Sequence, residues 1–174
     1  MVKARDVAVL IAAILMGTLA GFFLTYGFTI MPALATVDDR TFVAAFQGLE
    51  RMFGNPDYGF NWPVFLGYFI GPIVIAVAIA LNRRQPSQRW LVAALVLALV
   101  SVVVTQIFNV PLNNDLTSAG EPNVIDVAQV RLDFREGWWR AWNQVRSATT
   151  LGAFLCLTWA LFRHGPRSEN RPSC

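Results

Sequence analysis

The chain has 174 residues, 55% of them hydrophobic and only 14% charged, where a soluble domain carries roughly 25% charged residues. Its 14 basic and 11 acidic residues leave four stretches without any charge, residues 7–37, 58–82, 90–114 and 147–162. This pattern argues against an ordinary soluble protein and excludes a nucleic-acid binder, a disordered chain and a disulfide scaffold. It predicts an all-α fold: an integral membrane four-helix antiparallel bundle, one membrane domain over residues 1–174, with the lipid bilayer as its surroundings.

A helix needs ~20 predominantly apolar residues to cross a bilayer. The first three windows exceed that length, whereas the fourth has 16 residues and covers only ~24 Å of a ~30 Å hydrocarbon core. It must borrow from its N-terminal flank. The predicted spans are therefore 7–30, 62–81, 90–109 and 141–162, followed by a tail, 163–174. Lys3 and Arg5, then Arg83, Arg84 and Arg89, then Arg163, Arg167 and Arg171 fall on one side of these spans, against Asp6 and Glu169 alone. Both connections on the other side are net acidic. Because Lys and Arg gather in cytoplasmic loops, both termini and the 83–89 turn are expected on the cytoplasmic face of the plasma membrane. The first window imitates a secretory signal, but its apolar run is far longer than the roughly 7 to 15 residues of a signal core, so an uncleaved span is expected.

Along the first span Ala13, Gly17, Gly21 and Thr25 recur every four residues, and Gly67 and Gly71 repeat the device in the second. Such stripes let helices approach closely. The second span opens with Pro63 in its first turn, and Pro72 is expected to kink it. Between these spans Asp38 reads as the N-cap of an amphipathic helix with Phe42, Phe46, Leu49 and Phe53 on one face and Arg40, Gln47, Glu50 and Arg51 on the other. That helix either lies in the interface or lids the bundle. Residues 55–61 read as a turn.

The third span is almost pure Leu, Val and Ala until Thr105, after which Gln106, Asn109 and Asn113 share one face. Pro111 has no N–H for the carbonyl of Ile107, so the helix is expected to end or bend there. Val127, Val130, Phe134 and Trp138 form a second amphipathic outer connection, and Trp138, Trp139 and Trp142 cluster where an aromatic belt is expected. Two cysteines, Cys156 and Cys174, and one histidine, His164, offer neither a structural disulfide nor a zinc, haem or copper site built from such ligands.

In the extended fourth span Arg146 lies roughly 8 Å, about one and a half turns, below the helix start, with Asn143 and Thr150 on its face. Two readings stand. A charge at such depth either snorkels toward the interface or faces the protein interior with a partner. In the second case Gln106, Asn109 and Asn113 face Asn143 and Arg146, and the group is either a hydrogen-bonded clamp between two helices or a pocket. A pocket of this composition offers fixed donors to a phenolate, carbonyl or carboxylate and ring walls to an aromatic body.

The exit Met31, Pro32, Ala33, Leu34, the pair Phe46 and Gln47, the run Asn109, Val110, Pro111, Leu112, Asn113 and the set Trp142, Asn143, Arg146 resemble the anthrone-oxygenase-like family of small four-helix membrane proteins. Gln144 departs from that pattern, since many members carry histidine there. Fungal members are associated with oxidation of an anthrone to an anthraquinone by O2 without metal or flavin, so the resemblance implies that this chemistry is open to the chain, with no metal and no cofactor and with a lipophilic aromatic small molecule as partner. On this reading Arg146, Asn143 and Asn109 would serve the oxyanion, and Gln106, Asn113, Trp139, Trp142 and Gln47 would bind the substrate. No base is evident, because Asp133 and Glu136 belong to the outer connection. The contrasting expectation is a non-enzymatic bundle in which the same polar residues only lock helices together. Transport is disfavoured, since no span carries a carboxylate for ion coupling.

Overall fold

The structure is a computed structural model, described here for residues 3–54 and 62–163. The 55–61 turn, the Phe53 side chain, His164 and Cys174 lie outside the described residues. All described elements are helical. They are α1 (Ala4–Leu34), α2 (Asp39–Gly54), α3 (Trp62–Leu81), α4 (Gln88–Ser118), α5 (Val127–Phe134) and α6 (Glu136–Arg163). The stretches Ala4–Leu34, Trp62–Leu81, Gln88–Ser118 and Val127–Arg163 are long and apolar enough to cross a membrane. Only 28% to 39% of each apolar window is buried in the bundle, so most of that apolar surface faces outward. A belt of this size suits hydrocarbon and not water.

Around the bundle α1 packs on α3 and α6, and α4 packs on the same two helices from the other side. Thus α3 and α6 stand diagonally opposite. Close approach of α3 to α1 depends on Gly67, where a Cβ would come within 2.9 Å of the Leu15 carbonyl oxygen. Gly71 packs against the Met16 methyl in the same way. Gly21 carries no such constraint, with nothing within 4 Å of a Cβ there, so only part of the small-residue stripe serves packing.

Three of the four long helices contain one widened, π-helical turn: Tyr26–Ile30 in α1, Leu66–Ile70 in α3 and Thr105–Asn109 in α4. Each closes with a bond five residues back, from Met31 N–H to the Tyr26 carbonyl, from Gly71 to Leu66 and from Val110 to Thr105. A proline stands two residues past the end of each: Pro32, Pro72 and Pro111. The physical cause is shared. Proline has no N–H and its ring collides with the carbonyl four residues earlier, and a turn with one extra residue relieves that collision without ending the helix. Of the two outcomes expected at Pro111, an end or a bend, the structure rules out the end, because α4 runs on through Ser118. The first span likewise reaches Leu34, beyond the predicted 30. On the fourth, α6 starts at Glu136 and not at 141, so Arg146 sits roughly 15 Å inside the helix, about twice the expected depth.

The amphipathic α2 lids the bundle. Asp38 caps it, accepting from the Thr41 amide (3.0 Å) and hydroxyl (2.7 Å), and these bonds hold the Asp38 carboxyl below its usual range. Phe42, Val43 and Phe46 are fully buried against Leu112, Leu116, Phe134 and Trp139. Arg131 on α5 fastens the lid. Its guanidinium donates to the Val37 carbonyl (2.9 Å) and Asp39 (3.0 Å), and it lies 4.4 Å over the Phe42 ring. Between α5 and α6 the chain turns at Arg135, held in the left-handed region at φ 50°.

Candidate functional site

Below the lid lies a cavity of about 300 Å³. From α1 come Phe22, Phe23 and Tyr26, from α2 Glu50, from α3 Val64, Phe65, Tyr68 and Phe69, from α4 Thr105, Gln106, Val110 and Asn113, and from α6 Trp139 and Arg146. All three π-helical turns contribute to this wall, through Tyr26, Tyr68, Phe69, Thr105 and Gln106. Widened turns present side chains and backbone that a regular helix would turn away, which is why they gather at functional sites.

Arg146 is the charged floor of the cavity. Its side chain is 5% exposed, so it does not snorkel. Nε donates to Asn143 Oδ1 at 2.8 Å, and the guanidinium carbon lies 4.3 Å over the Phe23 ring and 5.0 Å over Trp139. Two ring faces replace part of the lost hydration, each cation–π contact contributing about 2 kcal/mol when desolvated. Among the described residues no ion pair engages this guanidinium, leaving its remaining N–H groups for whatever occupies the cavity.

The predicted residues separate into two groups. Gln106, Asn113, Trp139 and Arg146 reach the cavity. Asn109 and Asn143 are fully buried behind it. Asn143 donates to the Phe23 carbonyl (3.1 Å) and accepts from Arg146, and a Cβ at Gly27 would stand 2.6 Å from its Nδ2. Asn109 donates to the Trp139 carbonyl (3.2 Å), while its Oδ1 finds no donor among the described residues. Both asparagines therefore act as clamps, one locking α6 to α1 and one locking α4 to α6. Trp142 stacks on Phe108 at 3.7 Å, outside the cavity wall. Gln47 lies elsewhere again, donating to the carbonyls of Leu116 (3.1 Å) and Gly120 (3.0 Å), where it ties the lid to the end of α4. The clamp and the pocket thus coexist, built from different members of the same set.

The residue that sequence reasoning missed is Glu50. It projects from the lid into the cavity and receives a hydrogen bond from Asn113, whose Oδ1 in turn accepts from Trp139 Nε1 at 2.6 Å. Burial pushes the Glu50 carboxyl above its usual range, against the opposing pull of Asn113 and of the Arg146 charge. A signal existed in the sequence. Glu50 follows Phe46 by four residues and so borders the apolar face of α2, although its neighbours Gln47 and Arg51 suggest an outward orientation. Tyr68 was missed as well. Its hydroxyl donates to the Val102 carbonyl (3.0 Å) and accepts from Gln106 Nε2 (3.2 Å). By contrast Gln144, where histidine was missed, points outward on α6 and does not address the cavity. Among the described residues no group of three His, Cys, Asp or Glu lies within metal-binding reach of one another.

Fold and site together define a four-helix membrane protein with an internal, aromatic-walled cavity that carries one buried cation and one raised carboxyl. Residues 62–156 match the anthrone oxygenase family. The chain belongs to that family. No curated protein and no solved structure matches it. The matched stretch holds Tyr68, Gln106, Asn113, Trp139 and Arg146, whereas Tyr26 and Glu50 come from the segment before it.

Proposed function

We propose that the protein is a multi-pass membrane oxidoreductase that uses O2, without a cofactor, to oxidise a lipophilic aromatic compound of the anthrone type. The observation that carries this reading is the placement of Glu50 and Arg146 on one aromatic-walled cavity with no ion pair between them. A base and an oxyanion donor that neutralised each other would do neither job. With no ion pair formed between them, both can act on a molecule bound in the cavity they line.

The chemistry follows from an acidic CH2 flanked by two aromatic rings and activated by a ring ketone. Glu50 takes one proton from that carbon, and the electron pair moves onto the ketone oxygen, where Arg146 donates hydrogen bonds to the negative charge. This electron-rich anion adds O2 at the same carbon and, once protonated, is a hydroperoxide. Removal of the second C–H proton then forms the new carbonyl as the O–O bond breaks and hydroxide leaves, to be protonated to water. One atom of O2 ends in the quinone and the other in water, and four electrons pass from the ring system to oxygen. Phe23, Tyr26 and Trp139 supply faces for a flat substrate, and a raised carboxyl is better matched to a weak carbon acid than an ordinary one. With the distribution of Lys and Arg as guide, the 83–89 turn and both chain ends face the cytoplasm of a bacterial plasma membrane, and the cavity lies in the outer half of the bilayer.

The second reading, a non-enzymatic bundle, draws on the clamping roles of Asn109, Asn143 and Gln47. Purified protein in lipid nanodiscs, given an anthrone under O2, separates the two. Quinone formation is expected in the wild type and should fall by roughly 100-fold or more in Arg146→Ala, the usual loss on removing one oxyanion donor. Equal rates in both proteins would overturn the assignment.

A further inference from the structure

The walls of the cavity are not equally closed. On α1 and α6, Phe23, Tyr26, Trp139 and Arg146 are all buried, and Phe22 is half-buried. On the facing side, Phe69 of α3 is 51% exposed although it lines the cavity, and Gln106 of α4 is likewise both exposed and lining. The opening therefore lies in the seam between α3 and α4. Its position matters as much as its presence. Both residues fall inside the stretches Trp62–Leu81 and Gln88–Ser118, which are long and apolar enough to cross a membrane, and their outward neighbours Ile73, Val103 and Ile107 are exposed aliphatic side chains. The mouth thus opens sideways, onto hydrocarbon. Arg146 sits on α6, diagonal to α3, so a molecule with its oxygen at Arg146 presents its far edge to Phe69.

We propose that the natural ligand is an amphiphile: a hydroxylated or keto aromatic ring system held between Glu50 and Arg146, carrying an aliphatic chain that leaves through the α3–α4 seam past Phe69 and Gln106 into the bilayer. This rests on the cavity being the ring site, as argued above, and extends it by assigning the ligand's class and its route of entry. The Gln106 amide donates to the Tyr68 hydroxyl and is thereby held at the seam, where its carbonyl oxygen can still accept from the ligand. About 300 Å³ holds a few fused rings but not the rings and a chain of a dozen carbons together. A closed cavity would reject the chain. An open seam tolerates it, because the chain stays in hydrocarbon before and after binding and neither gains nor loses burial.

The test is binding, not turnover, in nanodiscs of the full chain. The probes are 9-anthrone under argon and the same ring system bearing a dodecyl chain on the edge remote from the ketone, with affinities compared as mole fractions in the lipid. The chain-bearing probe is expected to bind within about threefold of the parent, and Phe69→Trp, which narrows the seam, should lower the ratio of chain-bearing to parent affinity at least tenfold. Comparing the two probes within each protein cancels any general effect of the substitution on folding. If the parent binds and the chain-bearing probe is rejected by the wild type, or if Phe69→Trp leaves the ratio unchanged, the seam is not the route and the amphiphile assignment is overturned. Binding of neither probe would overturn the ring site itself, and this inference with it.

Discussion

The two ends of the bundle are built on different rules. At the end nearest the 83–89 turn the core is Val9, Ala12, Ile75, Ala78, Leu91, Ala94, Leu157 and Ala160, all fully buried and all aliphatic, on unbroken α-helical backbone, and the polar side chains buried there, Asn82 and Ser87, flank the turn itself. At the lid end the core is Tyr26, Phe42, Phe46, Phe134 and Trp139, and beside it are buried the polar groups of Thr105, Asn109, Asn143 and Arg146. In hydrocarbon a polar group gains nothing by facing its neighbours unless each hydrogen bond is met, so the plain end shows what stability alone requires. The lid end exceeds that requirement, and the excess defines the site.

The contrast can be broken at the lid end and should be hard to break at the other. The largest effect is expected from Glu50→Gln, which removes the proposed base and should slow the proposed oxidation by about 10²- to 10⁴-fold. The same group links activity to pH. Its folded-state pKa is raised, so the stability it lends is fully present below the unfolded pKa and is lost as pH rises through the folded one. Activity should therefore climb with pH over the window in which thermal stability declines, and Glu50→Gln should flatten the stability profile. Next comes Gly27→Ala. The new methyl would displace Asn143, and overpacking of this kind typically destabilises by about 1–3 kcal/mol, to be read from thermal unfolding in detergent, with a loss of ligand binding as Arg146 loses its support. Pro111→Ala restores an N–H and lets α4 return to regular winding. Anthrone binding is expected to weaken severalfold while the melting temperature holds or rises, and a parallel fall in both would show that the turn only serves packing. The smallest effects belong to the helix faces away from the site. Gly21→Ala has open space and should change stability by no more than ~0.5 kcal/mol.

How far the sequence foretells this depends on which force decides each feature. The four long helices are legible because charge is excluded from hydrocarbon, and an absence of charge over dozens of residues needs no tertiary context. Arg146 is legible for the same reason, as the exception to the rule. Asn109 and Asn113 illustrate the limit. Both lie on the polar face of α4, yet one clamps and the other lines the cavity, because the turn at Thr105–Asn109 shifts their bearing by an amount that no regular 3.6-residue period foresees. Glu50 was only half legible, for a different reason: its spacing from Phe46 put it at the border of the apolar face of α2 without fixing which way it turns. Its direction is set by Phe42, Val43 and Phe46 docking on α5 and α6, a contact between segments nearly a hundred residues apart. Pro32, Pro72 and Pro111 were the available clue, since each stands six residues beyond the start of a widened turn.

Those turns bear on how such a cavity arises. A void in a packed bundle is usually made by trimming side chains, and the missing atoms then cost stability roughly in proportion to the empty volume. Here half of the lining is full-sized rings, and three of the helices around the space each carry one surplus residue in a widened turn beside it, like a dislocation in a crystal. A site of this kind can be resized by moving a proline or deleting one residue while its aromatic walls stay intact, which gives the fold a way to admit new ligands without first being weakened.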